Sequence, residues 1–265
     1  MINSAKGNVI VVGSGLAGMS AAVNLVHANY KVLVIERSKH LGGRTSSWFQ
    51  DDMVVESGLH RYLSLYYHLP RLLKTAGVSL RDIIKWQDKI AIRTAEKQPI
   101  ELSISIIHKP IRTIISIFSH YDLINIKERI KLLKMFRHMV YLYYKKPYYL
   151  DSLTVKDMAD AFNIEQDTVD FVLKPFTEGI FFLPIERYSA YVLMGLILPY
   201  KWRLPFVRIG TFNGPMSEVL IKPLEDYITK RGGSVIKSTA VESLVTNNNK
   251  VVGISTNTGK EYFAD

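Results

Sequence analysis

The chain has 265 residues, of which 48% are hydrophobic, a length and composition that suit one large domain or two ordinary ones with a substantial core. It contains no cysteine, which excludes disulfide bonds, cysteine-ligated zinc, iron–sulfur clusters and catalytic thiols. The formal net charge is +10, and the excess of basic residues is concentrated in one segment, described below.

Neither a secretory signal nor a membrane-spanning helix is predicted. Residues 1–6 form a short polar lead-in. The longest apolar zone, residues 181–206, is interrupted by charged residues and prolines, whereas a spanning helix needs about 20 uninterrupted apolar residues. We therefore expect a cytoplasmic protein.

The first chemical signal is a glycine-rich turn between a strand and a helix. Val9–Val12 are apolar and β-branched, which predicts a buried parallel strand. Gly13 would allow a tight turn, Gly15 the approach of a pyrophosphate, and Gly18 the packing of the next helix against the strand. The amides at the start of that helix, which continues to His27, would face phosphate oxygens, where the helix dipole favours negative charge.

The second half of a dinucleotide-binding unit follows. Residues 30–35 predict another strand, and Glu36 stands at its end, about 20 residues after the glycines, where a carboxylate accepts hydrogen bonds from ribose hydroxyls. A glycine cluster alone would also suit a plain turn. Strand, glycine turn, helix, strand and acid in this order predict an α/β, Rossmann-like nucleotide-binding domain.

The segment after Glu36 indicates which nucleotide this is. It contains Gly42–Gly43–Arg44 and, further on, Glu56–Ser57–Gly58–Leu59–His60. With these residues the chain resembles the flavin-dependent amine oxidase and phytoene desaturase superfamily, in which a glycine–glycine–arginine segment follows the acid and wraps FAD. From this resemblance we expect FAD, and we expect no metal. The absence of cysteine removes a cysteinyl flavin link, so we expect the FAD to be bound non-covalently, with a histidyl link through one of the seven histidines as the alternative.

Carried over position by position, the resemblance implies a set of cofactor-binding residues. They are Gly13, Ser14, Gly15, Leu16, Ala17, Gly18, Glu36, Arg37, Gly42, Gly43, Arg44, Gly58, Leu59, His60 and Val241. Gly42 and Gly43 would let the backbone pass close to the cofactor. The Arg44 guanidinium would offer a rigid fork of donors to the pyrophosphate or the flavin. A surface ion pair is the alternative for Arg44.

The middle of the chain combines strands with a long helix. Residues 68–76 predict a short helix, and residues 83–107 are mainly extended around Pro99. Residues 111–144 favour a helix that is broken near residues 120–122. A stripe at helical spacing in its second part consists of Ile126, Ile130, Leu133, Arg137 and Val140.

Residues 109–146 carry nine basic residues against two acidic ones, beside several tyrosines. Three interpretations compete for this segment. In the first, it forms a membrane-surface helix with its apolar face towards the lipid and its basic residues at the headgroups. Alternatively, it is an outer helix with solvated charges, or it binds nucleic acid, although no nucleic-acid-binding motif accompanies it. We expect contact with a membrane surface, peripheral localisation and no nucleic-acid partner.

The following segment predicts further helices and an apolar zone. Residues 152–157 predict a helix start that is capped by Ser152 or Thr154. From Phe176 to Phe206 the chain is dense in Phe, Leu, Ile, Tyr and Trp. We expect each of these side chains to lie in the core, and as a group they are typical of the wall of an apolar pocket or tunnel.

The last segment extends the resemblance. Residues 213–215 open a predicted helix over about residues 216–230, in which Pro223 predicts a kink or a late start, and a small meander of strands follows. This order looks like the family's return into the FAD domain, where a valine matching Val241 holds the adenine end through its backbone. The resemblance thus implies a discontinuous FAD-binding domain, residues 1–80 and 213–265, with a mostly helical substrate domain, residues 81–212, inserted in it.

In that family a further strand and a second glycine-containing cofactor motif follow the position of Asp265. The returning FAD-binding segment is therefore expected to be incomplete. A longer chain, or a second chain acting as a partner, is expected to complete the FAD and substrate sites.

The resemblance is strongest to plant-type phytoene and zeta-carotene desaturases, and it implies hydride transfer from a hydrophobic, isoprenoid-like substrate to flavin. An amine or porphyrinogen oxidase, and a non-catalytic subunit that keeps the nucleotide fold, stay open as alternatives. No catalytic residue is identified. His60 suits either a base or a structural hydrogen bond, and Glu56 is expected to support the cofactor.

Overall fold

The structure is a computed structural model that describes residues 5–58, 60–87, 89–92, 100–103, 125–200 and 207–265. The chain divides into two units. Unit 1 comprises Met1–Trp86 and Gly210–Asp265, and unit 2 comprises Gln87–Ile209. The chain thus leaves unit 1 once and returns to it once.

The described helices and strands follow one another in a fixed order. They are β1 (Asn8–Val12), α1 (Leu16–His27), β2 (Lys31–Ile35), β3 (Ser47–Gln50), β4 (Met53–Glu56), β5 (Arg61–Leu63), α2 (His68–Thr75), α3 (Leu80–Ile83), β6 (Ile84–Gln87), β7 (Lys89–Ile92), β8 (Ile100–Ser103), α4 (Ile126–Lys145), α5 (Pro147–Asp151), α6 (Val155–Ala161), α7 (Gln166–Thr168), α8 (Lys174–Phe181), α9 (Ala190–Ile197), β9 (Ile209–Phe212), α10 (Lys222–Lys230), β10 (Ser234–Ile236), β11 (Val241–Asn247), β12 (Lys250–Thr256) and β13 (Glu261–Phe263). Short 3₁₀ turns span Gly43–Thr45 and Leu198–Tyr200, and π-helical turns span Val169–Leu173 and Ser217–Ile221.

A parallel sheet in the order β1-β2-β10 organises unit 1. Val9 lies opposite Val32 and Val235 opposite Val34, so β2 has a parallel partner on each side. Helices α1 and α10 pack against each other and contribute Met19, Val23, Leu224 and Ile228 to one core, each fully buried. The predicted α/β, Rossmann-like fold is confirmed, and Val32 and Val34 of the parallel strand β2 share one core with α1 and α10.

Smaller sheets complete the strands. Strands β11, β12 and β13 form an antiparallel meander, β3 pairs with β4, and β7 pairs with β8. A further three-stranded sheet has the order β5-β9-β6. Asn248 and Asn249 turn the chain between β11 and β12 with φ angles of 49° and 61°. Two consecutive left-handed residues are what a tight hairpin turn requires, and asparagine tolerates that conformation better than most residues.

Unit 2 is largely helical around a core of its own. This core includes Met135, Met139, Leu150, Ile185 and Leu193, and each is at most 1% exposed. Helix α6 begins with a capping box, the start that the sequence predicts. The Thr154 hydroxyl accepts a 3.0 Å hydrogen bond from the Asp157 N–H, and Asp157 accepts one from the Thr154 N–H at 2.8 Å. Thr154, and not Ser152, therefore caps the helix.

Two parts of the sequence prediction need correction. Phe182 and Leu183 are 72% and 44% exposed, so the core prediction is wrong for these two side chains, although it is right for Tyr188 and Met194. The chain bends outward at Phe182, whose φ of 57° ends α8 in a left-handed cap. Among the predicted core residues, Trp202 and Phe206 lie outside the described part of the chain, as do residues 111–124 of the predicted long helix.

The helical backbone starts at residue 216, as the sequence predicts, and Pro223 does not delay it. A π-helical turn over Ser217–Ile221 runs directly into α10, of which Pro223 is the second residue. The irregularity that proline brings to a helix is therefore a π-helical turn immediately before it. No helix among the described residues is long and apolar enough to cross a membrane.

Leu224→Ala and Leu244→Ala form a matched pair for the core of unit 1. Leu224 is fully buried against α1, whereas Leu244 is 60% exposed on β11. We expect Leu224→Ala to lower the free energy of unfolding by about 2–5 kcal/mol, because it leaves a cavity in the core. Leu244→Ala should change it by less than about 0.5 kcal/mol. Urea unfolding followed by circular dichroism measures both, and equal losses would contradict the described core.

Candidate functional site

The glycine turn between β1 and α1 has the conformation that its sequence predicts. Gly13 has a φ of +92°, which L side chains rarely adopt. A Cβ at Gly18 would lie 2.0 Å from the Gly13 carbonyl oxygen, so only glycine allows the helix to lie this close to the turn. A Cβ at Gly15 would meet no atom within 4 Å. The backbone at Gly15 therefore faces open space.

The start of α1 offers donors to that space. Gly15 is the N-cap, and no side chain caps this end of the helix. The first intrahelical bond runs from the Met19 N–H to the Gly15 carbonyl at 2.9 Å, so the N–H groups of Leu16, Ala17 and Gly18 have no partner within the helix. With the positive end of the helix dipole, these three donors form an anion-binding end.

Glu36 lies at the end of β2 and binds the glycine turn directly. One of its carboxylate oxygens accepts hydrogen bonds from the Ser14 N–H at 2.8 Å and from the Ser14 hydroxyl at 2.6 Å, and the other accepts from the Ser38 N–H at 2.8 Å. Glu36 is 7% exposed and Ser14 fully buried. Because two carboxylate oxygens offer about four acceptor positions, capacity for a further donor remains.

The charge of Glu36 is stabilised by these bonds. Burial by itself raises the pKa of the Glu36 carboxyl. The hydrogen bonds from the Ser14 hydroxyl and from the Ser38 and Ser14 N–H groups, with the positive charge of Arg37, outweigh burial and hold that pKa below its ordinary value. The side chain is therefore a carboxylate at neutral pH, as an acceptor for hydroxyl donors must be.

The second glycine pair lies against the first glycine turn. The Gly42 N–H donates to the Ser14 carbonyl at 3.1 Å and contacts the Ser14 hydroxyl at 3.2 Å, and Gly42 pairs with Gly15 in a parallel bridge. Gly42 and Gly43 have φ angles of +105° and +56°. A Cβ at Gly43 would lie 3.3 Å from the Gly15 Cα, so the two glycine segments touch through their backbones.

Arg44 is held through its backbone and leaves its side chain exposed. Its carbonyl accepts hydrogen bonds from the Ser57 hydroxyl and, at 3.1 Å, from His60 Nε2. A carbonyl only accepts, so Nε2 of His60 carries the hydrogen. In the described part of the chain the Arg44 guanidinium has neither a hydrogen bond nor an ion pair, and the alternative of a surface ion pair has no partner there.

Contacts that sequence reasoning missed join the two halves of unit 1. A Glu56 carboxylate oxygen accepts a hydrogen bond from the Met216 N–H at 3.0 Å, and the Ser47 hydroxyl accepts one from the Ser217 N–H at 2.8 Å. The other Glu56 oxygen lies 3.8 Å from His60 Nδ1. The partners are 160 and 170 residues apart, and no local pattern could have paired them. Glu56 therefore ties the first segment of unit 1 to the returning segment.

The remaining predicted site residues lie in different places. Arg37 is exposed beside Glu36, and Gly58 follows β4 with open space around it. Val241 begins β11, two residues after Thr239, whose N–H donates to the Glu36 carbonyl at 2.9 Å. The structure thus brings the approach to Val241 beside the end of β2. Leu59 lies outside the described residues.

Taken together, unit 1 collects helix donors and a guanidinium that have no side-chain partner among the described residues, and a carboxylate with spare acceptor capacity. These groups can bind a phosphate-containing nucleotide through anionic oxygens and ribose hydroxyls. No cluster of His, Cys, Asp or Glu that could hold a metal ion occurs among the residues that the structure describes.

Comparisons with known proteins agree with this chemistry. The family profile described as flavin containing amine oxidoreductase matches residues 16–265. A 15-cis-phytoene desaturase from Synechococcus elongatus is 25% identical over 253 residues, covering 92% of this chain and 52% of the relative. One from Glycine max is 23% identical over 266 residues, covering 97% of this chain and 46% of the relative. The chain thus spans about half the length of these relatives.

Solved structures show the same fold. An oxidoreductase from Methanosarcina mazei superposes with a TM-score of 0.65 at 20% identity, covering 97% of this chain and 57% of that protein. A triple mutant of putrescine oxidase superposes with a TM-score of 0.67 at 17% identity, covering 96% of this chain and 55% of that protein. At these identities the superpositions concern the fold.

Gly18→Ala tests the close approach of α1 to the glycine turn. We expect a loss of about 2 kcal/mol or more in the free energy of unfolding, because the added methyl group collides with the Gly13 carbonyl, which is backbone and cannot rotate away. Thermal unfolding measures the loss. Gly15→Ala, whose methyl group meets no protein atom, is the control, and an equal destabilisation of both variants would contradict the geometry.

Glu36→Gln tests the buried carboxylate through pH. At pH 7 we expect a loss of about 1–3 kcal/mol, because an amide cannot accept from all the donors around Glu36. The contribution of a carboxylate with a lowered pKa is present above the ordinary glutamate pKa of about 4.3 and is lost as the pH falls through the lower pKa of the folded protein.

The stability difference between wild type and Glu36→Gln should therefore shrink below about pH 4. Urea unfolding at a series of pH values measures it, with the exposed Glu242→Gln as the control. A difference that grows on acidification would show that Glu36 is not held as a carboxylate.

Proposed function

The chain belongs to the flavin-containing amine oxidoreductase family, and we propose that it binds FAD at the glycine turn of unit 1 and serves the oxidation of a hydrophobic, isoprenoid-like substrate. The observation that carries the proposal is the contact between the two glycine segments. Beside this contact, the N–H donors at the start of α1 and the Arg44 guanidinium have no side-chain partner in the described part of the chain.

The residues present fit a dinucleotide of this kind. The N–H groups of Leu16, Ala17 and Gly18 would donate to pyrophosphate oxygens, and Arg44 would add a charged donor fork. Glu36 would accept from ribose hydroxyls with the capacity that Ser14 and Ser38 leave. Bound FAD would supply the redox chemistry by accepting a hydride from a substrate carbon.

The protein's own contribution would be binding and positioning. Gly42 and Gly43 would let the backbone lie against the cofactor, and Ser57 and His60 would hold the Arg44 carbonyl and hence the direction of its side chain. We assign His60 to positioning, because its Nε2 hydrogen is used by that carbonyl. Gly58 and Leu59, and the backbone of Val241, would contact the flavin and adenine ends as the family resemblance implies.

The substrate class rests on the relatives. Both curated relatives described above are phytoene desaturases, which supports an unactivated hydrocarbon substrate for this chain. The fold is shared with putrescine oxidase, so an amine remains the second candidate, and a porphyrinogen is the third. A non-catalytic role inside a larger assembly is the alternative from another class.

Because the chain spans about half of each relative, the FAD and substrate sites would be completed by residues beyond those of this chain, on a longer polypeptide or on a partner. The binding half proposed here needs only unit 1. Flavin binding can therefore be tested before any activity.

Gly15→Ala separates cofactor binding from folding. A Cβ at Gly15 meets no protein atom, so the variant should fold normally, but its methyl group would occupy the space proposed for the pyrophosphate. We expect wild type to take up FAD with flavin absorbance in the visible region, and Gly15→Ala to bind at least about tenfold more weakly. Gly179→Ala, at an equally open glycine of unit 2, is the control.

Equal FAD affinity of wild type and Gly15→Ala would contradict the proposed site, and a wild type that fails to take up FAD would contradict binding by this chain. Once the substrate site is completed by the longer polypeptide or the partner, bleaching of bound flavin in the absence of oxygen should occur with a polyene in vesicles and not with putrescine or protoporphyrinogen. Bleaching by an amine would replace the proposed substrate class by the second candidate.

A further inference from the structure

Helix α4 of unit 2 has two apolar faces, and only one of them is in the core. Glu128, Met135, Met139 and Leu142 face inward and are at most 3% exposed. The opposite side carries a second row of large side chains, three or four residues apart, which we call the outer face. It consists of Ile126, Ile130, Leu133, Arg137, Tyr141 and Tyr144. Four residues of the stripe noted in the sequence, Ile126, Ile130, Leu133 and Arg137, therefore lie on the outside of the unit, whereas the fifth, Val140, packs against the core.

The outer face exposes large apolar and aromatic side chains to an unusual degree. Leu133 is 70% exposed, Tyr144 61%, Ile126 56% and Ile130 46%. Single exposed apolar residues are ordinary, but a row along one helix is not, because an outer helix normally places polar residues there. Such a row indicates a surface that is covered by a partner.

The charges around the outer face have one sign. The exposed lysines 127, 134 and 145 lie along one side of it, and Arg137 lies within it. None of these four has an ion-pair partner among the described residues. The helix's only acidic residue, Glu128, is buried and pairs with Lys131, and its pKa is lowered despite burial, which alone would raise it, chiefly by that hydrogen bond. The outer face therefore presents positive charge alone.

Aromatic residues with polar tips continue the surface beyond the helix. Tyr148 is 92% exposed and Tyr149 56% exposed, both in α5, which follows α4 directly. Tyrosine combines an apolar ring with a hydroxyl, and it is enriched where a protein meets the boundary between water and lipid. A helix with exposed aliphatic residues in its first half, lysines along one side of them and tyrosines at its end matches an interfacial helix.

We propose that the outer face of α4, with the tyrosines of α5, docks on the surface of an anionic lipid bilayer. Ile126, Ile130 and Leu133 would enter the boundary between headgroups and acyl chains, and Lys127, Lys134 and Lys145 would contact lipid phosphates. A lipid surface suits this face better than an acidic protein groove, because exposed aliphatic residues with lysines beside them and tyrosines next to them are the composition of interfacial helices. This proposal is independent of flavin binding.

Flotation with lipid vesicles tests it on the full chain. Wild type should float with phosphatidylcholine vesicles that contain phosphatidylglycerol, weakly or not at all with phosphatidylcholine alone, and less as salt is added. Absence of flotation with the anionic vesicles overturns the proposal, and so does equal flotation with both kinds.

Matched variants locate the surface. Lys127→Gln, Lys134→Gln and Lys145→Gln combined should weaken binding by about fivefold for each lysine, on the order of 100-fold in total. The control removes the same charge from exposed lysines of unit 1, by Lys74→Gln, Lys250→Gln and Lys260→Gln, and should keep most of the binding. If the control loses as much as the α4 variant, net charge and not this surface is responsible, and the proposal fails.

A second pair tests the apolar row. Leu133→Gln keeps a good helix former and should weaken vesicle binding about tenfold. Leu244 is also largely exposed but lies on β11, so Leu244→Gln should not weaken binding. The α4 variants are also titrated against a single-stranded oligonucleotide. If they lose oligonucleotide binding while vesicle binding is unchanged, the surface is a nucleic-acid site and the lipid proposal is overturned.

Discussion

The buried carboxylate of Glu36 is the constraint on which unit 1 depends. It accepts two hydrogen bonds from Ser14, one oxygen serving both, and a third from Ser38, which fixes the glycine turn to the end of β2. Its backbone extends the connection, since its N–H donates to Ile236 of β10 at 2.8 Å and its carbonyl accepts from Thr239 at 2.9 Å. A buried charge is costly unless it is hydrogen-bonded. Two of the three donors to Glu36 belong to Ser14, so satisfying this charge holds the glycine turn in place.

The sequence predicted the parts of this site that depend on local chemistry. The positive φ angles at Gly13 and Gly42 and the tight space at Gly18 follow from the residue type, because glycine has no Cβ that would be strained or would collide there. It did not predict that Ser14 would bind Glu36, since the position between two fingerprint glycines admits many residues. Nor could it pair Glu56 with Met216, because a hydrogen bond across 160 residues leaves no trace in either local pattern.

Helix α4 shows a different limit of sequence reasoning. Helical spacing predicted correctly that Ile126, Ile130, Leu133 and Arg137 share a face, but Val140 of the same stripe packs against the core. This helix has an apolar row on both sides, so periodicity alone does not tell which row enters the core. The structure places Met135, Met139 and Leu142 inside. Ile126, Ile130 and Leu133 point outward, although their hydrophobicity would suit the core equally well. Packing against α9 and α5, which depends on the whole of unit 2, decides between the two rows.

The two surfaces left without partners have opposite chemistry, and each restricts what the other can mean. In unit 1 the surface offers the helix donors of α1, the Arg44 guanidinium and the spare acceptor capacity of the Glu36 carboxylate, which suit a polar, phosphate-containing cofactor. In unit 2 the exposed groups are aliphatic and basic, which suits lipid. An isoprenoid hydrocarbon has almost no solubility in water and partitions into a bilayer. A protein that oxidises such a compound therefore gains from standing at the bilayer surface, whereas an oxidase for a charged amine gains nothing there. Lipid docking would thus strengthen the hydrocarbon assignment over the amine assignment, although neither depends on the other for its test.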